Sequence, residues 1–128
     1  MLRDPSLHDF EVKRFLHDLR SGLQIVSEYN ADTYRDIYVS DDIIDEVGGE
    51  DEYESQRERI DDFLRMDLVD RHAYEEIVPR AGPSELFVTR AANVLLIRLF
   101  SGDEALFVSI ERSGAVGETI DTIERITK

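Results

Sequence analysis

The sequence has no cysteine and no tryptophan, three prolines, and two lysines, Lys13 and Lys128. Without cysteine there are no disulfides, no thiolate metal ligands and no cysteine nucleophile, and nothing points to an oxidising compartment. Long apolar runs are missing too. The longest, such as Val94 to Ile97, fall far short of the roughly 20 residues that a membrane-spanning helix needs. The segment Met1-Leu2-Arg3-Asp4-Pro5 lacks the apolar stretch of a signal peptide. The expectation is a cytoplasmic protein with no membrane partner.

What the chain does have is acid. Its 29 acidic residues oppose 15 basic ones, a formal net charge of −14. Such a surface repels itself at low salt, whereas at 1 M salt the Debye length is about 3 Å and the repulsion is nearly gone. An acidic, lysine-poor chain resembles the proteins of extreme halophiles. The charge also argues weakly against nucleic acid as a partner, since counterion release needs a basic stripe but halophilic DNA-binding proteins can themselves be acidic overall. With 128 residues, 41% of them hydrophobic and 34% charged, the chain falls in the range of one folded domain with one core.

Periodicity divides the chain into elements. Ser6 caps a first helix whose apolar face is Val12, Phe15, Leu16, Leu19 and Leu23, with Gly22 at its end. Leu23 to Tyr29 alternates as a strand, Asn30-Ala31-Asp32-Thr33 turns, and Tyr34 to Val39 returns as the second arm of a hairpin. A short helix over Asp41 to Val47 is broken by Gly48-Gly49. A longer one runs from about Asp51 to Met66 on the face Tyr53, Ile60, Phe63 and Leu64, with a further turn or two from His72 to Val78 before Pro79. Gly82-Pro83-Ser84 closes the helical region. Leu86 to Arg90, Val94 to Phe100 and Ala105 to Ile110 then read as three strands, and Ser113-Gly114 opens a last helix with the face Val116, Ile120, Ile123 and Thr127.

This predicts an α+β domain: a single five-stranded antiparallel sheet with flanking helices, in the order α-β-β-α-β-β-β-α. The order resembles the roadblock/dynein-light-chain, longin and profilin-like folds, and its ββ-helices-βββ core also resembles a PAS sensor domain. These likenesses are of topology, and function does not follow from fold alone. The stretch from Leu19-Arg20 through Ile25-Val26, Tyr29, Tyr34 and Tyr38 to Asp41-Asp42 is similar to a family of small, uncharacterised haloarchaeal proteins. Their shared features are a leucine-rich first helix, a tyrosine-bearing hairpin and an acidic pair. The resemblance runs loosely to about Arg112 and implies source and fold, with no activity attached.

Few residue constellations carry chemistry. Asp41-Asp42-Ile43-Ile44-Asp45-Glu46 has the spacing of a helical carboxylate pair for Mg²⁺, but acids at a helix start also favour the helix itself, and the second account is preferred. Of His8, His17 and His72, only His72 has carboxylates at helical spacing, Glu75 and Glu76, and a third ligand is missing. Ser113-Gly114-Ala115-Val116-Gly117 joins a strand to a helix and is the best small-anion candidate, near Gly114 and Gly117, although a cap and turn explains it more simply. No nucleophile is paired with a base. The expectation is therefore a chain without catalytic residues, metal or cofactor.

Partners are the better prospect. Tyr29, Tyr34 and Tyr38 lie on one hairpin, with Tyr34 and Tyr38 on one strand face at spacing four, either packed across strands or presented to a protein. Leu86 to Arg90 lies at the sheet margin with neither proline nor lysine to blunt it, an edge that pairs with another strand. The function expected is a roadblock-like, non-enzymatic protein-binding or scaffold module. It works as a homodimer joined along that strand at Phe87, with the tyrosine hairpin left for an unidentified protein. Two alternatives stand beside it. A PAS-like ligand sensor needs an enclosed pocket between the helical insert and the sheet. A haloarchaeal transcriptional regulator needs Arg57, Arg59 and Arg65 to face DNA from among Glu58, Asp61 and Asp62.

Overall fold

The computed structural model describes residues 22–77, 80, 82–112 and 116–127. Two strands, β1 (Leu23–Tyr29) and β2 (Tyr34–Val39), are followed by two helices, α1 (Asp41–Val47) and α2 (Glu50–Ile77). Three more strands, β3 (Leu86–Arg90), β4 (Val94–Ser101) and β5 (Glu104–Glu111), lead into α3 (Val116–Thr127). All strand pairs are antiparallel, in one sheet of order β2-β1-β5-β4-β3. The α+β class and the order of these elements agree with the sequence reading. The first helix expected from Ser6 to Gly22 lies outside the described residues, apart from Gly22 itself.

Local chemistry sets the boundaries. The Asn30 Oδ1 accepts from the backbone N–H of Asp32 and Thr33 at 2.8 Å each, which fastens the β1–β2 turn. Ser40 caps α1, its hydroxyl accepting from the Ile43 N–H at 3.2 Å, with Asp41 and Asp42 in the first turn. Gly48 ends α1 at φ 106°, a left-handed conformation that returns its N–H to the Asp45 carbonyl. At Gly22 a side chain is excluded by space as well: a Cβ there would stand 2.9 Å from that of Glu111.

The sheet is covered on both faces. One side buries Leu23, Val26, Ile37, Leu95, Ile97, Val108 and Ile110 under Ile123 of α3, with Val116 and Ile120 packed alongside. The other buries Ile25, Tyr29, Val39, Ala105 and Phe107 under Ile44 of α1 and Tyr53 and Leu64 of α2. Both partitions follow the period of two along β4 and β5.

Two departures from the sequence reading matter. The helix drawn as two pieces, to Met66 and from His72, is continuous from Glu50 to Ile77. Polar anchors hold its middle: Asp67 and Arg71 are both buried, and an apolar-face reading has no place for them. The second departure is a bulge. Val26 pairs with Tyr38 but Ser27 with Asp36, so Ile37 is an extra residue on β2. Tyr34 and Tyr38 therefore do not share a face: Tyr34 packs on the α2 side and Tyr38 on the α3 side.

Candidate functional site

Beneath the N-terminal half of α2 lies a buried carboxylate. Asp36, 3% exposed, is placed by the bulge on the α2 side of β2. Its Oδ1 accepts from the hydroxyls of Ser27 at 2.8 Å and Tyr34 at 2.7 Å, and its Oδ2 from the Tyr53 hydroxyl at 3.0 Å. Arg57 adds its charge, with Nε 3.6 Å from Oδ2, and lies over the Tyr34 ring. Burial pushes the Tyr34 hydroxyl well above the usual tyrosine range, and the Asp36 charge beside it acts in the same direction. Ser27 is fully buried, with its hydroxyl bound to the Asp36 carboxylate, so the cluster fastens β1, β2 and α2 together and offers no exposed nucleophile. Outside it, Tyr34, Glu54, Ser55, Arg57, Glu58 and Asp61 line an open depression of about 380 Å³.

A second polar cluster lies beneath the C-terminal half of α2. The Asp67 Oδ2 accepts from Arg98 Nε at 2.8 Å, with both side chains buried. The Arg98 Nη1 donates to the Thr89 Oγ1 on β3 at 2.8 Å and to the Leu96 carbonyl at 2.7 Å. Its guanidinium also stands 5.6 Å from the Phe63 ring centre and 5.9 Å from that of Phe87. Arg71 donates to the Gly102 carbonyl at 2.9 Å and covers the Phe100 ring. Burial holds the Asp67 carboxyl above its usual range although Arg98 pulls the other way.

Above that cluster large apolar side chains stand in the open among charged ones. Phe63, Met66, Val69, Tyr74 and Ile77 are all exposed, Val69 at 71% and Ile77 at 69%. Their spacing of three to five residues sets them along one side of α2. Tyr74 meets Phe87 of β3 edge to face at 5.6 Å, and Phe87 meets Phe100 in the same way at 5.0 Å. The helix stripe thus runs into β3, which pairs with β4 alone among the described strands.

The residues singled out in the sequence fall unevenly. Tyr29 and Tyr34 form a cross-strand pair, but Tyr29 is buried and its hydroxyl has no hydrogen-bond partner. Burial, with the Asp67 charge behind it, pushes that hydroxyl upward. Tyr38 is on the opposite face and partly exposed. Phe87 is half-buried between Tyr74, Phe100 and Arg98, so it anchors the surface and is not its exposed tip. Of the three arginines considered for DNA, Arg57 is tied to Asp36 and Glu54, Arg65 to Asp61 at 3.1 Å, and Arg59 is exposed. His72 is exposed, 3.5 Å from Glu75, and among the described residues no three histidine, aspartate or glutamate side chains gather as a metal site. Gly117 is in the first turn of α3, while Ser113, Gly114 and Ala115 lie outside the described residues. Sequence reasoning missed Met66, Val69, Tyr74 and Ile77, whose helical spacing was legible once α2 is carried past Met66. It also missed the Asp36 and Asp67 clusters, which no local spacing announces.

No helix among the described residues is long and apolar enough to cross a membrane. No protein-family model matches the chain, and no curated protein matches it.

Proposed function

We propose that this chain is a non-enzymatic protein-binding module of the cytoplasm, roadblock-like in topology, that works as a homodimer. One observation carries the reading: the exposed apolar stripe of α2, Phe63 to Ile77, continues through Tyr74 and Phe87 into the margin strand β3. A row of large apolar side chains left in the open favours a partner, and an unblunted edge strand adds to it.

A second copy of the chain suits this surface on two grounds. A two-fold axis sets β3 antiparallel to its own copy, so each edge meets an identical row of N–H and C=O groups. The same axis sets α2 antiparallel to α2. Arg59, Phe63, Met66 and Asp70 follow one another at helical spacing, so an axis near residue 65 brings Arg59 of each copy to Asp70 of the other. That complementarity matters in a chain whose net charge of −14 otherwise opposes association. On the α2 side, the space that a PAS-like sensor would leave for a ligand is packed with Tyr29, Tyr53, Leu64 and Phe107. The engaged Arg57 and Arg65 weigh against DNA in the same manner.

Light scattering in about 2 M KCl, where self-repulsion is screened, tests the reading. The wild type is expected at twice the chain mass. Val69→Glu, which adds a charge at an exposed position, is expected to give a folded monomer. A wild-type monomer at every concentration, or a Val69→Glu dimer of wild-type affinity, sinks the proposal.

A further inference from the structure

Resting on the homodimer reading, we propose that Arg98 is a positioning residue for the interface: it sets α2 against β3 and holds the two halves of the dimer surface in register.

Net stability is not what the Arg98–Asp67 pair supplies. Both side chains are buried, 6% and 9% exposed. Removing two charges from water costs about as much as their attraction returns, so a buried pair adds little net stability over well-packed apolar groups of the same volume. In keeping with that balance, burial raises the Asp67 pKa although the arginine stands at 2.8 Å. What a buried pair does supply is a unique geometry, since a shift of either element leaves a charge without its partner.

Arg98 touches both elements of the surface, α2 and β3. It holds α2 through Asp67 and lies under the ring of Phe63. It holds β3 through the Thr89 hydroxyl and the ring of Phe87, and its own strand through the Leu96 carbonyl. Phe63 belongs to the exposed stripe, and Phe87 carries Tyr74, another of its members. The Asp36 cluster fastens the N-terminal half of α2; farther along, Arg98 ties the helix to β3, and a roll of the helix there would move the stripe relative to the β3 edge. A partner that must meet both at once tolerates little of that movement.

Two variants separate registry from stability. In Asp67→Leu with Arg98→Met, both charges leave together, and methionine fills the space between Phe63 and Phe87. Urea unfolding and sedimentation equilibrium in about 2 M KCl are measured on the same samples. The expected result is an unfolding midpoint equal to or above wild type with a dimer Kd raised about tenfold. Thr89→Val removes only the hydroxyl that Arg98 holds on β3, so it decides the matter should the double variant not fold. Its Kd is expected to rise about threefold. A folded double variant with a Kd within about twofold of wild type overturns the proposal and leaves the homodimer reading intact. So does an unchanged Kd in Thr89→Val, or a midpoint that falls in step with the affinity, as for a purely structural group. A wild-type chain that never dimerises overturns both readings together.

Discussion

The Asp36 carboxylate accepts hydrogen bonds from the hydroxyls of Ser27, Tyr34 and Tyr53 in a space where water does not compete. A tyrosine that donates to a buried carboxylate cannot ionise without setting two negative charges against each other, and Tyr29 near Asp67 is held by burial in the same condition. Both folded-state pKa values lie above the unfolded value of 10.0. Between the two the folded chain binds more protons than the unfolded one, so this contribution is complete below pH 10 and is lost as pH rises beyond it. The chain is therefore expected to unfold in alkali, with phenolate absorbance from Tyr29 and Tyr34 rising together with the loss of far-ultraviolet circular dichroism. Tyr34→Phe with Tyr29→Phe should move that transition to higher pH. Ionisation of both tyrosines in a chain that keeps its native spectrum would contradict the assignment.

Among elements, the strands were legible because alternation and turn chemistry coincide. β1, β2 and β3 begin and end where Leu23 to Tyr29, Tyr34 to Val39 and Leu86 to Arg90 were drawn, and β4 and β5 differ by one residue at their ends. Helix α2 was read short because its central inward positions are Asp67 and Arg71, polar residues that only their partners Arg98 and Gly102, about thirty residues away, make burial possible for. The bulge at Ile37 was illegible for a related reason: period-two reasoning assumes one residue per step, and an inserted residue inverts every face assignment beyond it. The interface candidates Tyr34 and Tyr38 were separated by that single insertion. The break between α1 and α2, by contrast, was plain in Gly48-Gly49. Gly48→Ala is expected to cost about 1–2 kcal/mol, because φ 106° suits glycine and the new Cβ would stand 3.3 Å from the Glu52 Cγ. Urea midpoints with an unchanged m-value measure this, and a neutral substitution would show that the cap relaxes freely.

At the scale of the whole molecule, charge dominates. Between Asp41 and Asp62 the chain carries eleven carboxylates against Arg57 and Arg59, concentrated on α1 and the first half of α2. Counterions screen that repulsion, so the thermal midpoint should rise from about 0.1 M to about 2 M KCl. A midpoint that stays or falls would mean that the repulsion is already offset within the fold. The two ends of the sheet are also unlike. The β3 end is regular along its five pairs with β4, whereas the β2 end is distorted at Ile37. Joined as proposed, such a sheet would have a valence of one. Two copies joined margin to margin would turn their β2 ends outward in a ten-stranded particle, where the bulge at Ile37 would interrupt the regular edge that a third chain needs, a chain terminator against fibre formation.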